Sequence, residues 1–285
     1  MMFMSLNRNQ TNGEKSNMLP LHLFNKDHGI INTMFQHSFN IDFPDLLFHV
    51  GNESDSLSCT GITLEDDVVD ELLKYIDVND PVSFIKGKLY IYTKKEIRTI
   101  DLAPLKTVDL RIPQIKLDLD FLKKIIEKFS IIDFQNDWGL SDEYSPNKVI
   151  EMLNESRDPE QIMKTLKFLY GRGRGLTPSG DDIIVGFVSI LSAFGFKQLT
   201  LWKEQVGIIL ESRATTDVSE SYIQAVLENY TSKKMVQFLK VIRDKDEEQL
   251  ASSILDIQNF GHTSGTDTLL GMYAAFILLK SKSIH

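Results

Sequence analysis

At Pro113 the hydrophobic period of this chain changes, and no other feature limits its fold as strongly. Before that proline, apolar residues alternate in short runs: Leu46-Leu-Phe-His-Val-Gly51, Ser56 to Leu64, and Pro81 to Thr93, where Gly87 turns one run into Leu89-Tyr-Ile-Tyr-Thr93. Ile97 to Ala103 and Thr107 to Pro113 follow, punctuated by Pro104 and Pro113. A period of about 2 with Gly and Pro between runs belongs to strands, and Asp66 to Tyr75 interrupts them with helical spacing. After Pro113 the period becomes about 3.6, starting with Leu119 to Ser130, and no strand pattern returns.

The expected class is therefore α+β: a small N-terminal β barrel or sandwich, then a mostly helical domain. Residues 1–19 are rich in Asn, Ser and Lys and are expected to be a mobile tail, with a β-rich domain over 20–115 and a helical domain over 116–285. Asp158-Pro-Glu-Gln161 opens one helix with a capping Asp, a first-turn Pro and a Gln three residues on, and Gly171 stops it. Later helices are expected near 179–194, 200–212, 217–229, 232–243, 246–259 and 265–280. The apolar run Ile183 to Phe196 contains two glycines and two serines and is well short of the roughly 20 residues of a membrane span, so it is expected to be a buried core helix.

Thirty-one basic against forty acidic residues give a net charge of −9, which argues against a partner bound by phosphate neutralisation along a nucleic acid. The single cysteine, Cys59, cannot form a disulfide within the chain, and the polar start lacks the apolar core of a secretory signal; both suit a reducing cytoplasm, with no membrane partner.

Within the helical half the same pattern occurs twice. Gly175-Leu-Thr177-Pro-Ser179-Gly180-Asp181-Asp182, followed by Gly186, aligns with Gly261-His262-Thr263-Ser264-Gly265-Thr-Asp267, followed by Gly271, once Pro178 is removed. Each copy follows a helix ending in an aromatic and a glycine, Tyr170-Gly171 and Phe260-Gly261, and leads into a very apolar helix. The preceding segment has helical spacing and no Gly-Lys-Ser/Thr is present, so neither a dinucleotide fingerprint nor a Walker loop fits. Two equivalent loop-to-helix units sharing one cleft are expected.

Two readings of these loops are open. Ser179 with Asp182, and Ser264 with Asp267, have capping-box separation, so each pair could simply start a helix, with Gly186 and Gly271 allowing close helix contact. Alternatively, Thr177, Ser179, Thr263 and Ser264, amides near Gly175, Gly180 and Gly265, and the cations Arg172, Arg174 and Arg213 form receptors for a small carboxylate or phosphate. Asp181, Asp182 and Asp267 would then order the loops or hold Mg²⁺, which is admitted but not required. His262 is the one histidine inside a motif and the candidate for proton transfer.

The GLTPSGDD block, the helix start with Thr215, Thr216 and Ser219, and the GHTSGTDTLLG block together resemble the family of the oxamate carbamoyltransferase AllH-like subunit. The motifs cover the helical half; the β half is similar in order and length. Arg172 and Arg174 depart from the family's usual loop. The resemblance implies a subunit, with other carbamoyltransferase subunits as partners, that converts oxalurate and phosphate to oxamate and carbamoyl phosphate in anaerobic allantoin and purine catabolism, with no redox cofactor. A non-catalytic interaction subunit of such a complex and an independent Mg²⁺-dependent enzyme using phosphate or nucleotides are the alternatives.

Overall fold

The computed structural model describes residues 12–282 apart from 20–22, 24–27, 55 and 141–143. The chain is α+β, as expected, and divides into two compact units, Met1–Leu110 and Arg111–His285. The division lies a few residues before the change of period at Pro113.

The first unit is one curled, mixed sheet of nine strands in the order β8-β7-β6-β2-β3-β4-β5-β1-β9. Its strands are β1 Gly13–Ser16, β2 Gly29–Met34, β3 Ser38–Phe43, β4 Leu46–Asn52, β5 Gly61–Leu64, β6 Pro81–Ile85, β7 Lys88–Tyr92, β8 Ile97–Asp101 and β9 Lys106–Val108. Helix α1, Asp66–Leu73, follows β5 and buries Val68, Val69 and Leu72. The core joins these residues to Phe39, Ile41, Phe48, Val50, Ile62 and Leu89, all removed from solvent.

Two expectations fail here. Gly13–Ser16 belongs to the sheet, antiparallel to β5 and parallel to β9, where a mobile tail was expected; residues 1–11 lie outside the described residues. Its polar sequence, GEKS, hid it, because what holds it is main-chain pairing with two neighbours. Strands β2 and β3 were also not anticipated: Ser38 to Phe43 alternates strictly but lies before the region read as strands, and in β2 a register shift between Ile31 and Thr33 breaks the period. Buried Asn40 donates to Thr33 Oγ1 at 2.9 Å and meets His49 Nδ1 at 2.8 Å.

The second unit is helical: α2 Leu119–Ser130, α3 Phe134–Asp137, α4 Pro146–Glu155, α5 Pro159–Leu169, α6 Ser179–Ala193, α7 Leu199–Leu210, α8 Asp217–Leu227, α9 Lys233–Asp244, α10 Glu247–Gln258 and α11 Ser264–Lys282. Asp158 caps α5 by accepting from Gln161 N at 2.9 Å, and the Gln161 side chain accepts from Arg157 N at 3.0 Å. Helices α6 and α11 lie against each other at the centre, with Phe187, Leu269, Met272, Ala275 and Phe276 sealed from water. A helix apolar on every face is stable only when enclosed. Among the described residues no helix is long and apolar enough to cross a membrane.

The α6–α11 crossing explains two of the repeated glycines. A Cβ at Gly186 would collide with the carbonyl oxygen of Thr268, and one at Gly271 would collide with that of Ile183. Each glycine also faces a backbone nitrogen of the other helix, Met272 or Phe187. These contacts exchange under the sequence repeat, so the two helices are related by an approximate twofold axis.

Candidate functional site

The loops that open α6 and α11 meet, as the shared-cleft expectation requires: Thr177 Oγ1 and Ser264 Oγ are 2.6 Å apart. Gly171 and Gly261 end the preceding helices with φ of 69° and 65°, the left-handed conformation that lets the chain reverse. Gly171 also approaches the Ala214 carbonyl too closely for any side chain.

The first copy does not form the expected capping box. Helix α6 is preceded by Pro178, with no side-chain cap, and Ser179 is already its first residue. The polar groups work across the pair instead. Asp182 of the first copy faces Thr177 and Ser264; Asp267 of the second faces Thr263 and Ser179. Exchanging the copies converts one set into the other. Spacing in the sequence could not distinguish this crossed arrangement from a capping box, because both need Ser three residues before Asp.

Burial raises the Asp182 carboxyl well above the ordinary carboxylate range; the Ser264 hydroxyl opposes this, the Asp267 charge adds to it, and Thr177 opposes it. Burial likewise raises Asp267, against the Gly139 amide and the hydroxyls of Ser179 and Thr263. The Oδ2 atoms of both residues are shielded from solvent and have no hydrogen-bond partner among the described residues. A buried oxygen in that condition costs on the order of 1–3 kcal/mol.

Asp181 is different. Its Oδ1 accepts from Gly171 N at 2.8 Å, and its Oδ2 accepts from Ser219 Oγ at 2.8 Å and from Thr215 Oγ1. Thr216 donates to Leu176 O and accepts from Ser219 N at 3.1 Å, capping α8. The third hydroxyl-rich helix start is thus a brace for the first loop. Burial still lifts the Asp181 carboxyl above its usual range, with Thr215, Gly171 and Ser219 opposing. Among the described residues no three His, Cys, Asp or Glu side chains are placed to share a metal ion.

The remaining candidates separate. Arg172 gives Nε to Phe168 O and a terminal nitrogen to Tyr144 Oη at 3.1 Å, with its guanidinium 4.5 Å from the Phe168 ring centre. That fixes the loop to α5 and accounts for Arg172 without an anion. Arg174, Gly175, Arg213 and His262 are exposed. The amides of Gly180 and Gly265, considered as ligand donors, are bonded within the chain, to Arg172 O at 2.8 Å and Phe260 O at 3.0 Å.

Two features were not visible in the sequence. Gly139 comes from the segment between α3 and α4 and donates its N–H to Asp267 Oδ1 at 3.1 Å. A Cβ there would strike Ser179 Oγ and lie 2.6 Å from Thr263 Oγ1. On the Asp182 side there is instead an open cleft of about 60 Å³. Asp182, Thr177, Tyr222, Lys234, Ile257 and Phe260 are among the residues lining it. No residue spacing connects Gly139, Tyr222 or Lys234 to either motif.

Fold and site together define an α+β chain whose helical unit is organised around a duplicated, interlocked helix start. The segment 169–276, which holds both loops and the bracing start of α8, matches the family model of the oxamate carbamoyltransferase subunit AllH. No solved structure matches the chain.

Proposed function

We propose that this chain is a subunit of an oxamate carbamoyltransferase-related enzyme, working with partner subunits on small anions. The family match over both loops carries the reading, because it covers the part of the molecule where the repeated polar groups of the two copies meet. The reaction is carbamoyl transfer from oxalurate to phosphate. A phosphate oxygen bonds to the carbamoyl carbon, the carbon–nitrogen bond to the oxamate nitrogen breaks, and that nitrogen takes a proton as it leaves. No electrons change hands, so no redox cofactor enters.

Such a reaction needs positive groups to hold two anions in line and hydroxyls to orient them. The exposed Arg174 and Arg213 belong to segments that adjoin at Gly171 and Ala214, and Thr177 and Ser264 supply hydroxyls nearby. Charge is supplied in this reading by side chains at the rim, since the Gly180 and Gly265 amides are bonded within the chain. Exposed His262 is the candidate to carry the proton.

The test is to purify the complex from its native host and assay carbamoyl phosphate formed from oxalurate and phosphate, with this chain present, omitted, or alone. Activity that requires the chain together with its partners supports the proposal. Full activity of the partners without it sinks the proposal.

A further inference from the structure

From the two halves of the repeat, we infer that only one is a ligand site: the Asp182 cleft binds a small molecule through an amide-type N–H, while the Asp267 copy is filled by the chain itself. Four observations lead there. The carboxyls occupy equivalent positions, each with its crossed Ser and Thr and each with a shielded, unpartnered Oδ2. At Asp267 a peptide group has entered, and its N–H donates to the carboxyl at 3.1 Å. Gly139 stands so close to Ser179 and Thr263 that nothing else fits. At Asp182 the described residues supply no such peptide, and a cleft opens.

The peptide at Asp267 shows what the repeated Asp-Ser-Thr set accepts. It is an N–H on a planar carbonyl-bearing group, the chemistry of a primary amide or a ureido group. The Asp182 cleft adds what such a ligand needs beyond the N–H. Ile257, Met235 and Phe260 provide an apolar wall for a flat molecule. Lys234, whose ammonium lies 5.4 Å from the Phe260 ring centre, supplies positive charge at the edge for an anionic end. The inference rests on the proposed carbamoyl chemistry for its choice of probe, and on the repeat alone for its choice of site.

Oxamate and pyruvate make the discriminating pair. They share size, shape and a single negative charge, and differ in NH₂ against CH₃. Binding to the full chain is followed by NMR titration, and the site is located by soaking crystals with each. Oxamate is expected in the Asp182 cleft with its nitrogen on the carboxyl, binding about tenfold or more tightly than pyruvate, the effect of one hydrogen bond to a buried carboxyl. Asp182→Val removes the acceptor and is expected to abolish the preference, and Asp182→Asn, which keeps one neutral acceptor oxygen, to reduce it; Asp267→Asn is expected to leave it. Equal binding of the two probes, oxamate located elsewhere, or no binding of oxamate at 50-fold the concentration that saturates the assembled enzyme (roughly 2.3 kcal/mol of margin) overturns the inference. Oxamate found elsewhere in an active complex leaves the functional proposal standing. Oxamate in the cleft of a complex that makes no carbamoyl phosphate does the reverse.

Discussion

Of the three acidic residues in the duplicated motif, only Asp181 has its oxygens fully engaged, by one amide and two hydroxyls. Removing it leaves three donors without an acceptor, the buried Ser219 hydroxyl and the part-buried Gly171 amide and Thr215 hydroxyl. Asp181→Ala is therefore expected to destabilise the helical unit by about 3 kcal/mol or more, measured by chemical denaturation. Gly139 acts by being small. Gly139→Ala must push Ser179 and Thr263 away from Asp267, with an expected loss of about 1–3 kcal/mol by the same measurement. An unchanged midpoint would show that the segment around residue 139 moves freely and does not fill the second copy.

The helix crossing makes a sharper statement at the level of elements. Gly→Ala inside a helix ordinarily stabilises by about 1 kcal/mol. At Gly186 and Gly271 the sign should reverse, because the added methyl meets the backbone of the opposite helix. The two losses should also be similar in size, since the contacts are exchanged by the repeat. Thermal unfolding of the two single variants checks both points, and a stabilised variant at either position refutes the crossing. Most helices of this unit were legible from period and punctuation: the Asp158 cap, the Pro159 start and the left-handed Gly171 stand where sequence chemistry puts them. Helix α3 was not, because a four-residue turn carries no period; α4, whose Ser145 cap, Pro146 start and buried Val149 and Leu153 are in helical register, was legible and was not anticipated. The repeat disclosed the pairing of the loops. It could not disclose that each Asp faces the Ser of the other copy, because a one-dimensional spacing carries no information about which chain segment stands opposite.

For the molecule as a whole, buried carboxyls set the response to pH. Asp181, Asp182 and Asp267 hold protons more tightly folded than unfolded, so their stabilising contribution is complete below the ordinary value of 3.8 and declines as pH rises through their raised values. Exposed pairs act oppositely. Asp118, held down to about 2 chiefly by Lys245, favours the fold above 3.8 and loses that effect as pH falls toward 2. The contribution of these three carboxyls is expected to grow as pH falls toward 3.8. Asp182→Asn, which removes one of these groups, should gain on the wild type as pH rises and lose that advantage as pH falls. Denaturation midpoints across a pH series test this, and a gap that widens on acidification would contradict it. The net charge of −9 restricted the class of partners, but where individual charges are buried became visible only in three dimensions.

The two copies differ most in the length of their turns, from Gly171 to Gly180 in one and from Gly261 to Gly265 in the other. The extra residues project outward, while the crossed Ser, Thr and Asp groups and the facing glycines remain locked between helices. Change is thereby partitioned: the exposed side chains of Arg174 and Leu176 can be exchanged or recharged without disturbing the crossing, while Gly173 between them and the helix stands against Ser179 and cannot, which leaves evolution a narrow tunable rim on an inherited clasp.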